Sequence, residues 1–62
     1  MMTAAKLARI RATLKDGPTW WLTRRLNDLL EDAFATQNRR LRTRELALAT
    51  RIAHELDARS AS

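Results

Sequence analysis

Apolar residues along the chain recur with the period of an α-helix, and no long stretch alternates between apolar and polar residues. Near the start, Leu7, Ile10 and Leu14 follow i, i+3, i+7 spacing and form one apolar stripe. Thr3 stands directly before this stripe, in the position where a helix N-cap is expected. The pattern therefore predicts a first helix over about 3–15.

The only glycine and the only proline of the chain, Gly17 and Pro18, stand next to each other. Pro18 cannot continue a helix, and Gly17 can adopt a positive φ angle as a helix terminator. We therefore expect a turn at 16–18, followed by a second helix with Thr19 as its N-cap. A turn this short predicts that the first helix folds back on the second as an αα-hairpin.

The second apolar stripe passes through a segment of weak helix formers at 35–38, which contains neither glycine nor proline. On one straight helix, the positions before and after this segment stay on one side with a heptad-like drift. The pattern thus favours one long helix over 19–58, followed by a frayed tail at 59–62. A third helix starting after Asn38, which would give a compact three-helix bundle, is the alternative.

A long second helix exposes apolar side chains that a first helix of about a dozen residues cannot cover. The chain has only 62 residues and no cysteine, so it is a single domain without disulfides. We therefore predict an all-α fold, a helical hairpin that self-associates through coiled-coil contacts into a homo-oligomeric bundle. The predicted self-association residues are Phe34, Leu41, Leu48, Ile52 and Leu56.

Charge is segregated along the chain, which has a net charge of +5 and a pI of about 11.4. Residues 1–15 contain basic side chains and no acidic one, whereas 16–36 are mainly acidic and 37–51 are again strongly basic. Such a balance favours an acidic partner, of which nucleic acid is one.

The arginines within 39–44 are the strongest functional signal in the sequence. Arg40 and Arg44 are like charges at i, i+4, a cost of roughly 0.3 kcal/mol that a bound anion would offset. We therefore predict a surface that contacts the phosphates of DNA or RNA. In the three-helix alternative these arginines lie at the N-terminus of helix 3, where recognition helices contact bases. The predicted nucleic-acid-binding residues are Arg39, Arg40, Arg42, Arg44, Arg51, Arg9 and Arg11.

The same charge pattern also allows a protein partner. If two long helices pair antiparallel about Thr36, Asp28 and Asp32 of one copy approach Arg44 and Arg40 of the other. The alternative function is therefore a protein-interaction module, an adaptor or inhibitor that docks on itself or on a larger protein.

The sequence contains few residues that are suited to catalysis or to metal binding. His54 is the only histidine, cysteine is absent, and a pair of His54 with Asp57 on an open helix face is typical of a surface contact. We expect no enzyme, no metal and no cofactor. No apolar run reaches the roughly 20 residues of a membrane span, so we expect a cytoplasmic protein. We do not expect binding to a membrane surface, because 19–58 has the pattern of a packed helix.

Overall fold

The computed structural model describes residues 2–61, which form three α-helices: α1 (Ala4–Ala12), α2 (Thr19–Ala35) and α3 (Arg39–Ala61). The predicted all-α class is confirmed. The preferred single helix over 19–58 is wrong, and the alternative of a three-helix bundle is the observed arrangement.

The break between α2 and α3 is made by side chains rather than by glycine or proline. Thr36 leaves the helix with an extended backbone, and its hydroxyl accepts a hydrogen bond from the backbone N–H of Asn38 at 3.2 Å. The side chain of Asn38 accepts the N–H of Leu41 at 3.1 Å, so Asn38 is the N-cap of α3. The guanidinium of Arg42 donates to the carbonyls of Ala33 and Thr36 and satisfies the end of α2.

The cap at the start of α1 is the one predicted. The hydroxyl of Thr3 accepts the backbone N–H of Lys6 at 3.1 Å. The helix ends at Ala12, short of its expected limit, because the chain tightens there into a turn. In this turn the hydroxyl of Thr13 donates to the carbonyl of Arg9 at 2.8 Å.

Gly17 has no positive φ angle, so its predicted role as a left-handed helix terminator is wrong. The reason for a glycine is space: a Cβ atom there would lie 2.9 Å from the carbonyl oxygen of Thr13 and 3.1 Å from the ring of Trp21. Pro18 occupies the N-cap position of α2, and Thr19 is the first helical residue rather than the cap.

The helices α2 and α3 run antiparallel and are joined by hydrogen bonds at both ends. At the start of α3, Arg42 contacts the end of α2. At its other end, Arg59 donates to the carbonyl of Lys15 at 3.0 Å and to the hydroxyl of Thr19 at 3.2 Å. The predicted frayed tail at 59–62 is also wrong for the part that is described, because α3 continues to Ala61.

The antiparallel arrangement of α2 and α3 differs from that of a DNA-binding helix-turn-helix, whose two helices cross at about 90–120°.

The hydrophobic core lies mainly between α2 and α3, and α1 packs more closely on α3 than on α2. The predicted hairpin of helix 1 on helix 2 is thus replaced by a hairpin of α2 on α3. The buried core residues are Met2, Leu7, Ile10, Leu14, Leu22, Leu29, Leu48, Ala49 and Ile52.

The core corrects the interpretation of the predicted self-association residues. Leu48 and Ile52 are completely buried within the chain, and Leu41 and Leu56 pack against the edge of the core. Their burial does not require a second copy, because the chain folds back at 36–38 and covers them itself. Phe34 is the exception, with 83% of its surface exposed.

Candidate functional site

A basic groove lies between α1 and the first half of α3. It consists of two adjoining cavities that share Ala4, Leu7 and Arg44. Arg11 lines the cavity towards the end of α1, and Arg40 lines the cavity towards the start of α3. Arginines predicted from distant parts of the sequence are therefore brought to one place. We call this surface, with its arginines Arg11, Arg40 and Arg44, the basic groove.

The arginines of the basic groove are available to a ligand. Arg11, Arg40 and Arg44 are exposed, and within residues 2–61 none of them makes a hydrogen bond or an ion pair. No acidic side chain lines either cavity, so the positive charge is not neutralised locally. On the α1 side the cavity is lined by the small side chains of Ala4 and Ala8, which leave the guanidinium groups accessible to a phosphate-sized anion.

The remaining predicted arginines are not all equivalent. Arg42 is engaged in holding the end of α2, so its expected role in phosphate binding is not supported by its contacts. Arg39 is exposed beside Arg40 and Arg44. Arg51 is exposed on α3, about two helical turns beyond Arg44 and outside the two cavities. Arg9 is exposed on α1, also outside the two cavities.

The helical period explains why neighbouring arginines separate. Successive residues on a helix differ by about 100°, so Arg40, Arg44 and Arg51 fall on one side of α3, the side that α1 adjoins. Arg42 falls on the opposite flank of the core-facing stripe, next to α2. The arginines that are adjacent in sequence at 39–44 therefore do not form one surface in space.

A buried carboxyl group lies directly behind the basic groove. Glu45 follows Arg44 in sequence, and its side chain is 0% exposed in the interface between α2 and α3. Within residues 2–61, neither carboxylate oxygen of Glu45 receives a hydrogen bond from a donor. Its neighbour is Asp32 of α2, whose carboxylate accepts the backbone N–H of Met2 at 3.4 Å.

These two carboxyl groups titrate in opposite directions. Burial, followed by the hydrogen bond and the charge of Asp32, raises the pKa of Glu45 to about 7. The hydrogen bond from Glu45 lowers the pKa of Asp32, and the N–H of Met2 and the charge of Lys6 also lower it. A protonated Glu45 next to an ionised Asp32 gives the buried carboxyl a hydrogen bond to donate, because Asp32 is the available acceptor.

The position of Glu45 was missed by reasoning from the sequence, although a signal exists. Glu45 stands at i+4 from Leu41 and at i−3 from Leu48, in the middle of the apolar stripe of α3. A charged residue at such a position is rarely fully buried without a partner.

The outer face of α2 carries two large exposed side chains. Trp20 is 66% exposed and Phe34 is 83% exposed, and the helical period places them within about 40° of each other. In contrast, Trp21 packs at the edge of the core, with the guanidinium of Arg25 5.6 Å from the centre of its ring.

The remaining candidate chemistry is further along α3, outside the basic groove. His54 and Asp57 line a shallow depression with Thr50 and Ala53, and both are exposed. In the part of the chain that the structure describes, no group of three or more potential ligands can hold a metal ion, and no helix is long and apolar enough to cross a membrane.

Comparisons of the chain with protein-family models, with characterised proteins and with solved structures give no match, so its function is argued from its own residues.

Proposed function

We propose that this protein is a small non-enzymatic binding protein that contacts the phosphates of nucleic acid through the basic groove. The observation that carries the proposal is the convergence of Arg11 from α1 and Arg44 from α3 on one open cavity without an acidic residue. Arg40 and Arg39 extend the positive charge towards the start of α3. A guanidinium is suited to phosphate because its planar fork matches two phosphate oxygens.

The overall charge distribution supports the same proposal. The net charge of +5 is concentrated on the side of the molecule that carries α1 and α3, whereas Asp28, Glu31 and Asp32 lie together on α2. Such a charge distribution favours the approach of a polyanion to the side of the molecule that carries the basic groove. Contacts of this kind bind the phosphate backbone of the nucleic acid and do not recognise its bases. We therefore expect affinity to depend on the charge density of the nucleic acid and not on its sequence.

The test is binding of a fluorescent oligonucleotide duplex over a range of salt concentrations. Each phosphate contact releases counterions, so the logarithm of affinity should fall linearly with the logarithm of salt concentration. The double variant Arg11→Ala/Arg44→Ala should bind more weakly, with a salt dependence flatter by about two, or roughly one per lost contact.

A matched control removes the same charge elsewhere. Lys15→Ala/Arg24→Ala also lowers the net charge by two, and both side chains are exposed outside the basic groove. This control should keep nearly the wild-type salt dependence. Equal weakening in both double variants would mean that only net charge matters, and absence of wild-type binding at low salt would rule the proposal out.

A protein-interaction module is the second candidate, favoured by the exposed Trp20 and Phe34 on α2. Aromatic side chains are enriched at the centres of interfaces, and exposing both costs the chain hydrophobic stabilisation. The occupant that we consider is a second copy of the chain, in keeping with the expected homo-oligomer. The long self-docking helix expected from the sequence is not required for it.

Sedimentation equilibrium distinguishes this candidate. A wild-type dimer that dissociates in Trp20→Ser/Phe34→Ser, while helicity measured by circular dichroism is kept, would support self-association through α2. A wild type that sediments as a monomer at concentrations up to about 100 μM would exclude a stable dimer.

A further inference from the structure

The buried Glu45 lies behind the floor of the basic groove. Leu41 and Leu48, one turn before and one turn after it on α3, both line the groove. Arg44 directly precedes it, and its neighbour Asp32 is hydrogen-bonded to the backbone of Met2, whose side chain also lines the groove. The carboxyl pair and the groove thus share the same wall.

We propose that Glu45 and Asp32 share one proton across the interface of α2 and α3, and that loss of this proton weakens anion binding in the basic groove. The proposal rests on the proposed function and names a regulation of that same site. Its geometric basis is the complete burial of Glu45 together with the absence, within residues 2–61, of any donor to its oxygens.

The shared proton follows from the requirements of the two carboxyl groups. Two ionised carboxylates in contact inside a protein repel each other, and a buried charge without a donor is costly. One proton removes both problems, since Glu45 then donates its O–H to the carboxylate of Asp32. Asp32 keeps its charge because the N–H of Met2 and the nearby Lys6 favour the ionised form.

The charged groups around the pair are few. Asp32 faces Glu45 from α2, and Lys6 acts on Asp32 from α1. On α3 itself, the neighbouring charges are Arg44, which lines the groove, and Arg42, which holds the end of α2. Burial is nevertheless the largest effect, and together with Asp32 it raises the pKa of Glu45 to about 7, within the range of ordinary solution conditions.

Ionisation of Glu45 would act on the groove through its charge. The new negative charge lies in a poorly solvated interior next to Arg44, where screening by water and salt is weak. It lowers the positive potential that attracts a phosphate. By linkage, an anion bound in the groove must in turn make the proton of Glu45 harder to remove.

The experiment measures affinity for an oligonucleotide duplex with 5′-hydroxyl ends between pH 6 and pH 8.5. Ends without phosphate are used because a terminal phosphate would itself titrate near pH 6. We expect wild-type affinity to fall several-fold across this range, with a midpoint near pH 7. In Glu45→Gln, affinity should stay at the low-pH value, because the amide donates to Asp32 and does not ionise.

Two further variants keep the result interpretable. His54→Asn is the control, because a histidine side chain is removed outside the two cavities of the groove, and it should keep the wild-type fall in affinity. Asp32→Asn offers a second test if Glu45→Gln does not fold. An amide at position 32 donates to an ionised Glu45 and should move the midpoint to lower pH.

The outcomes separate this proposal from the proposed function. If the wild type binds with an affinity that does not change with pH, or if Glu45→Gln keeps the wild-type fall, the proton-linked regulation is overturned while binding stands. If no oligonucleotide binds at any pH, the proposed function fails and its regulation fails with it. In that case, carbon NMR titration of the Glu45 carboxyl still decides whether the proton is shared, and a midpoint near 4.5 would exclude it.

Discussion

The guanidinium of Arg42 donates a hydrogen bond of 2.6 Å to the carbonyl of Thr36, the C-cap residue of α2. A second hydrogen bond joins its Nε atom to the carbonyl of Ala33 at 3.1 Å. The last carbonyls of a helix have no partner within the helix, so Arg42 supplies what α2 lacks. It also fixes the direction in which α3 leaves the turn.

We predict that Arg42→Ala destabilises the fold by about 1–2 kcal/mol, because hydrogen bonds to charged groups are stronger than neutral ones. For a domain of this size, the melting temperature should fall by roughly 10 °C. Thermal denaturation followed by circular dichroism measures the effect. Arg39→Ala is the control, since this arginine has no partner within residues 2–61, and a similar loss of stability in both variants would contradict the role assigned to Arg42.

Removal of the cap of α3 should also weaken the fold. Asn38→Ala loses the hydrogen bond from the N–H of Leu41, and such caps contribute about 1 kcal/mol. Asn38→Asp should keep most of the stability, because a carboxylate accepts the same hydrogen bond and favours a helix N-terminus. Urea denaturation distinguishes the two variants, and equal stabilities would show that the cap contributes little.

The break at 36–38 shows where the sequence was informative and where it was not. The turn at Gly17 and Pro18 and the cap at Thr3 were predictable, because each uses residues with strong local preferences. The second break depends on Asn38 as a cap and on Arg42, which lies beyond the turn and acts through tertiary contacts. The continuing apolar stripe and the absence of glycine and proline favoured one helix there, and these side-chain contacts overrode that pattern.

The folded chain should become less stable as pH rises from about 4.5 to about 7. Glu45 keeps its proton in the folded state up to about pH 7, whereas an ordinary glutamate loses it near 4.5, so the unfolded chain binds fewer protons in this interval. Asp32, with a lowered pKa, has the opposite effect in acid, where stability falls as pH drops through and below its ordinary value of 3.8. From these two groups, maximum stability is thus expected between the ordinary pKa values of 3.8 and 4.5.

Glu45→Gln tests this dependence. Melting temperatures between pH 4.5 and pH 8 should fall in the wild type and change much less in the variant. Glu45→Leu should be at least as stable as the wild type at pH 8, because replacing a buried charge by an apolar side chain is often stabilising. A wild type whose melting temperature is constant from pH 4.5 to pH 8 would contradict the raised pKa of Glu45.

Gly17→Ala should be destabilising although the backbone angles suit alanine. A Cβ atom would lie 2.9 Å from the carbonyl oxygen of Thr13, closer than side chains normally approach backbone. We expect a loss of about 1–3 kcal/mol, typical of overpacking, and a change in the tryptophan fluorescence as the ring of Trp21 shifts. Asp16→Ala, at an exposed position in the same turn, should change neither. A more stable Gly17→Ala would mean that the turn relaxes freely.

The candidate site also contains residues that could be predicted from the sequence and residues that could not. Arg40 and Arg44 could be assigned from their spacing on one helix, because the helical period determines which residues share a side. Their meeting with Arg11 depends on how α1 packs, which periodicity does not specify. Glu45 was hidden for a different reason: its burial results from the closure of α2 on α3, and that closure was not expected.

The turn between α2 and α3 has a consequence for the number of chains in the folded unit. It contains no glycine or proline, so the backbone at 36–38 can extend into helix once the caps at Asn38 and Arg42 are released. Two chains opened in this way could exchange their α3 helices, and each α3 would find on the other chain the α2 contacts that it makes within its own. The closed monomer and such a domain-swapped dimer would share one core, with the side-chain caps of a three-residue hinge and the protein concentration setting the balance between them.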